Sequence, residues 1–68
     1  MIDLSPREKQ VLQLLLDGLT RKQTALVLQL SDQTIQNYRR HLYAKLGVEN
    51  GYQAVNKGLK LGIIEVMR

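Results

Sequence analysis

The sequence predicts an all-α, four-helix bundle-like domain, and three observations carry that expectation. Ser5, Thr20, Ser31 and Asn50 are all suited to N-caps, and each precedes a stretch whose apolar residues recur with helical period. Glycines stand at positions 18, 47 and 62, where those stretches stop. Leu is abundant, Phe and Trp are absent, and Pro6 is the single proline, a composition that favours helix over sheet.

The first helix begins at Ser5-Pro6-Arg7-Glu8, which combines a capping serine, a proline at the first helical position and a glutamate at the third, a capping box. Val11, Leu12, Leu15 and Leu19 follow at helical spacing, and Gly18 marks the end. Thr20 caps the second helix, with Gln23 in the capping-box position; it runs to about Leu28 with Ala25 and Leu28 facing inward. Only Gln29 and Leu30 precede the next cap, Ser31, and Leu30 is placed to staple onto Ile35. Two helices joined this tightly make a helix-turn-helix, over about residues 20–46. The third helix spans about Asp32 to Leu46 and stops at Gly47; the fourth, capped by Asn50 with Gln53 three residues on, spans about residues 51–61. Residues 1–68 are expected to form a single domain.

With 68 residues, the chain buries only about 60% of the surface its unfolded form exposes. There is no cysteine, so neither disulfides nor thiolate-bound metal can staple the fold. No apolar run approaches the ~20 residues that cross a bilayer, and Met-Ile-Asp-Leu-Ser-Pro is not a signal pattern; a soluble, cytoplasmic protein is expected, with no membrane partner. One histidine, no glycine-rich phosphate loop and no pair of carboxylates on a shared face argue against an enzyme, and no metal or cofactor is expected. His41 lies off both stripes of helix 3 and is expected at the surface.

The formal net charge is +4, and it sits in one place. Residues 20–45 carry Arg21, Lys22, Arg39, Arg40 and Lys45 against Asp32 alone, while acidic and basic residues balance elsewhere. Such a cluster is the footprint of a polyanion partner. On helix 3, Ile35, Leu42 and Leu46 form an apolar stripe with Tyr38 at its edge, and the opposite stripe holds Gln33, Gln36, Asn37 and Arg40, completed by Ala44. Those polar types suit base edges: Asn or Gln bonds adenine bidentately and Arg bonds guanine, each worth about 1–3 kcal/mol of discrimination. Thr20, Lys22, Thr34, Tyr38, Arg39 and Lys45 flank the stripe as candidate phosphate contacts, Thr20 and Thr34 at helix starts where free N–H groups favour an anion. The threonines also fit a capping role, and Tyr38 fits equally a core position with a wet hydroxyl.

These residues resemble the LuxR/GerE-type helix-turn-helix DNA-binding domain, the output domain of NarL/FixJ-like response regulators and of quorum-sensing regulators. The resemblance spans about residues 4–63. It rests on Leu4-Ser5-Pro6-Arg7-Glu8, Val11-Leu12, Gly18, Lys22, Ala25, Leu28, Ser31, Thr34-Ile35, Leu42, Lys45-Leu46-Gly47-Val48 and Gln53-Ala54-Val55 in this order and spacing. It implies a bacterial transcription regulator that reads double-stranded DNA with Gln36, Asn37 and Arg40, the stripe selected by the helical wheel. It also implies a dimer, often through helix 4. Here that helix offers Tyr52, Val55, Leu59 and Ile63 on one face and Ala54, Gly58 and Leu61 on the other; the small-residue face is expected to meet a second copy in a weak homodimer. RNA polymerase or another regulator is the further partner such a domain implies. No phosphoacceptor domain or ligand pocket fits within this length, so the chain is expected either to belong to a longer regulator or to act constitutively.

The chain departs from the family pattern in helix 2, where Thr24 replaces a usual apolar residue and Leu26 and Val27 replace polar ones. Either Leu26 and Val27 form a partner surface or the helix is rotated. Gln36 stands where a basic residue is common, Tyr38 where His is frequent, and Gly58 where Ala is usual, the last at a helix-propensity cost of up to ~1 kcal/mol. Two other functions share these features: a protein-interaction module of the same fold acting on another regulator, and a promoter reader like region 4 of a sigma factor. Lys45-Leu46-Gly47-Val48 and the fourth helix disfavour the latter.

Overall fold

The computed structural model describes residues 2–66, which form four helices: α1 (Pro6–Leu16), α2 (Arg21–Leu28), α3 (Asp32–Leu46) and α4 (Gly51–Lys60). Every expected cap is in place. The side chains of Ser5, Thr20, Ser31 and Asn50 accept from the backbone N–H groups of Glu8, Gln23, Thr34 and Gln53, each cap stabilising its helix by ~1 kcal/mol. Glu8 and Gln23 complete the capping boxes by accepting from the N–H of Ser5 and Thr20 at 2.8 and 2.9 Å. Gln53 differs, since its Oε1 accepts from the N–H of Glu49 at 2.9 Å, one residue before the cap.

Helix α3 is the axis of the fold. It packs against α1, α2 and α4, whereas α2 and α4 do not meet. Its buried stripe, Ile35, Leu42 and Leu46, closes on Val11 and Leu12 from α1, Ala25 from α2 and Ala54 from α4. Leu4 before α1 and Ile64 after α4 complete the core from outside the helices. No helix of the described residues is long and apolar enough to cross a membrane.

One open alternative is decided here and one expectation is corrected. Helix α2 is not rotated: Thr24 occupies a fully buried position and satisfies its hydroxyl by donating to the Thr20 carbonyl at 2.8 Å, which leaves Leu26 and Val27 79% and 59% exposed. The small-residue face of α4 does not look outward either. Ala54 and Gly58 are buried, and only Leu61 of that expected dimer face is exposed. The cause is close packing: a Cβ on Gly58 would lie 3.0 Å from both Ile64 Cγ1 and Leu12 Cδ2. The glycine lets the segment after α4 fold back over α1, so its propensity cost is offset by burial of Ile64.

Across the α1–α3 contact, the nearly buried Glu8 carboxylate accepts from Lys45 Nζ and from the Ser5 N–H, each at 2.8 Å. Burial pushes the Glu8 carboxyl up, but hydrogen bonds from Lys45 and from the Ser5 backbone and hydroxyl, together with the Lys45 charge, hold it below its ordinary value. A carboxylate depressed in this way contributes stability that is fully present above its unfolded value, about 4.3, and is lost as pH falls through the lower folded value. Denaturant titrations between pH 7 and pH 2 should therefore show an acid limb that Glu8→Gln flattens, because glutamine keeps the capping box and loses only the ionisation. At pH 7 the variant should be less stable by about 1 kcal/mol. An unaltered acid limb in Glu8→Gln would assign acid sensitivity to other carboxylates.

Candidate nucleic-acid interface

The turn between α2 and α3 sets the geometry of the outward face. Gln29 takes a left-handed conformation, φ 57° and ψ 44°, and the N–H of Leu30 returns to the Ala25 carbonyl at 2.9 Å. Helix α2 therefore stops within one residue, Leu30 turns inward against the core, and Ser31 caps α3 immediately. A non-glycine residue in this region carries a penalty of ~1 kcal/mol. Gln29→Gly should accordingly raise stability by about 0.5 kcal/mol after its extra unfolded-state entropy is counted, measured by chemical denaturation; a lower midpoint would mean that the Gln29 side chain stabilises the turn.

The polar stripe of α3 looks away from the core. Gln33, Asn37, Arg40 and Ala44 are exposed and Gln36 is half-buried. Gln33 Nε2 donates to Asn37 Oδ1 at 3.2 Å, one turn apart, and Gln36 Oε1 accepts from Arg21 Nη1 at 2.9 Å. Arg21 belongs to the charge cluster, but sequence reasoning gave it no role. Helical periodicity describes one helix at a time and cannot show that the start of α2 overlies the first turns of α3.

The expected phosphate contacts divide into two groups. Thr20 and Lys22 are exposed beside the start of α2, while Thr34 and Tyr38 are half-buried and line a shallow depression with Asn37 and the exposed His41. Arg39 and Lys45 bond to other parts of the protein. Arg39 is half-buried against the α1–α2 connection, with Nη2 3.5 Å from the Leu19 carbonyl, and Lys45 is held by Glu8 and by the Asp3 carbonyl at 3.4 Å. Both side chains lie along the edge of α3 that packs on α1, where Arg39 is half-buried and the exposed Lys45 has its ammonium paired with Glu8. Among the described residues no cluster of three His, Cys, Asp or Glu is placed to hold a metal.

Residues 3–57 match the family described as bacterial regulatory proteins, luxR family. The chain belongs to this family. It is 36% identical over 63 residues to the spore germination protein GerE of Bacillus subtilis, covering 93% of this chain and 85% of GerE. The solved structure of GerE superposes with a TM-score of 0.86 at 32% identity, over 91% of this chain and 92% of that one. The response regulatory protein YgeK of Escherichia coli K12 is 36% identical over 93% of this chain but 43% of its own length. VqmA of Vibrio cholerae, solved with ligand and DNA, gives a TM-score of 0.88 at 31% identity, over 98% of this chain and 29% of VqmA. The chain thus spans less than half of YgeK and less than a third of VqmA. This luxR-family domain is a DNA-binding helix-turn-helix of transcription regulation, and its family is not a class of enzymes.

Proposed function

We propose that the chain reads a specific duplex sequence by laying α3 in the major groove, with Gln36, Asn37 and Arg40 on base edges and Gln33 at the leading end. The observation that carries this reading is the continuous outward stripe on α3, bordered by Thr20, Lys22, Thr34 and Tyr38, which fix register on phosphates. The compartment that holds such duplex DNA in a bacterium is the cytoplasm. Selection of bound duplexes from a random pool should return one short motif, and Arg40→Ala should lose its preference at one base position by about tenfold while keeping helical content. Binding of the winner should weaken with salt by a log–log slope of about 0.9 per phosphate contact. Absence of any enriched motif would overturn the reading in favour of a protein-interaction module, for which the exposed Leu26 and Val27 are the natural surface.

The homodimer proposed with it uses the other side of α4. With Ala54 and Gly58 in the core, a second copy is left with the side of Tyr52, which is 79% exposed and adjoins the half-buried Val55 and Leu59. Sedimentation equilibrium should show weak self-association that Tyr52→Arg reduces by about tenfold or more; an unchanged association constant would remove this face from the proposal.

A further inference from the structure

Arg21 and Gln36 are 15 residues apart in sequence and joined by a 2.9 Å hydrogen bond from Nη1 to Oε1. The chemistry of this bond has only one possible direction. A guanidinium has donors and no acceptor, so only the oxygen of the Gln36 carboxamide can face it, and the Nε2 amino group is turned away. The neighbouring contact between Gln33 and Asn37 imposes no such order, because two carboxamides can exchange donor and acceptor by turning over together. Arg21 stands at the first position of α2, so the Gln36 oxygen is drawn toward α2, beside α3, and the amino group is left for the groove.

A glutamine recognises adenine with both ends of its amide, donating to N7 and accepting from the N6 amino group. With Arg21 against Oε1, adenine would bring a second donor up to an oxygen that already faces a cation. Guanine presents two acceptors, N7 and O6, and thymine presents O4; these edges ask only for the amino group. We infer that Arg21 is a positioning residue that fixes the amide polarity of Gln36, so that Gln36 selects guanine or thymine over adenine at the base it meets. Among the described residues Arg21 bonds only Gln36, and its remaining donors suit a backbone phosphate, which would hold the guanidinium in place when DNA is bound. This inference rests on the proposed reading of duplex DNA by α3.

The test is selection from a random duplex pool with the wild-type chain and with Gln36→Ala, Arg21→Ala and Arg21→Lys, each checked for helical content by circular dichroism. Gln36→Ala should flatten one position of the motif, and in the wild type that position should be guanine or thymine. Arg21→Ala should shift that position alone toward adenine, changing the preference by about tenfold, while Arg21→Lys, which still offers only donors, should retain the wild-type base. A Gln36-dependent position that ignores Arg21→Ala, an equal loss of affinity for all sequences, or a motif in which Gln36→Ala alters nothing overturns the inference and leaves DNA reading intact. A wild-type chain that enriches no motif overturns the DNA-reading proposal itself, and this inference with it.

Discussion

Everything in this fold depends on α3 serving two surfaces at once. Like α1 it contacts the other three helices, and its buried stripe of Ile35, Leu42 and Leu46 supplies the centre of the core. Rotation of α3 by about half a turn would expose those residues and bury Gln33, Gln36, Asn37 and Arg40. The hydrophobic cost of exposing three large side chains, ~2 kcal/mol each, is comparable to the whole stability of a domain this small. The core therefore fixes the angular setting of the polar stripe, and no separate device is needed to aim it.

Charge along the chain overstates charge on the outward face. Of the basic residues between positions 20 and 45, Lys45 is paired with Glu8 and Arg39 is folded against the carbonyl of Leu19. Arg21, Lys22 and Arg40 are exposed. These two cations sit at the α1–α3 and α1–α2 junctions, where they tie the ends of α1 to the helix that carries the stripe. A charge sum read from sequence measures attraction to a polyanion only after such internal pairs are removed, because a paired lysine releases little counterion on binding.

Local chemistry made much of the fold legible and left its long-range part hidden. Caps at Ser5, Thr20, Ser31 and Asn50 and the glycine stops were readable because each rests on bonds between residues three or four apart. The outward stripe on α3 was readable because helical period alone defines it. What failed depended on partners distant in sequence. Ala54 and Gly58 look like a free small-residue face until Leu12 and Ile64 are packed on them, and Ile64, beyond the last helix, has no periodicity to announce it. Thr24 looks like a misplaced polar residue until the rest of the fold buries it, its hydroxyl satisfied locally by the Thr20 carbonyl. The Arg21–Gln36 bond spans the helix-turn-helix and had no local signal at all.

The modest exposed charge also bears on how a domain of this kind distinguishes one sequence from another. Phosphate contacts supply non-specific affinity, typically in the range of 10⁻⁴–10⁻⁶ M, and do so for every sequence alike. On the proposed reading, a helix that carries Gln36 and Asn37 beside Arg40, with Lys45 paired to Glu8 and Arg39 against the Leu19 carbonyl, draws less on that common term and more on base edges. Each good base contact separates right from wrong sequence by about 1–3 kcal/mol, so three such contacts on one copy discriminate by about two to six powers of ten. A bacterial chromosome offers more than 10⁶ competing registers. Discrimination on that scale needs the base contacts of one copy to be multiplied by those of another, since two linked half-sites add their free energies while their non-specific terms grow only with the number of phosphates touched. On the proposed reading, the polar stripe and the exposed Tyr52 side of α4 are two parts of one requirement: base readers that discriminate without holding DNA tightly, and a surface through which a second set of them can be joined to the first.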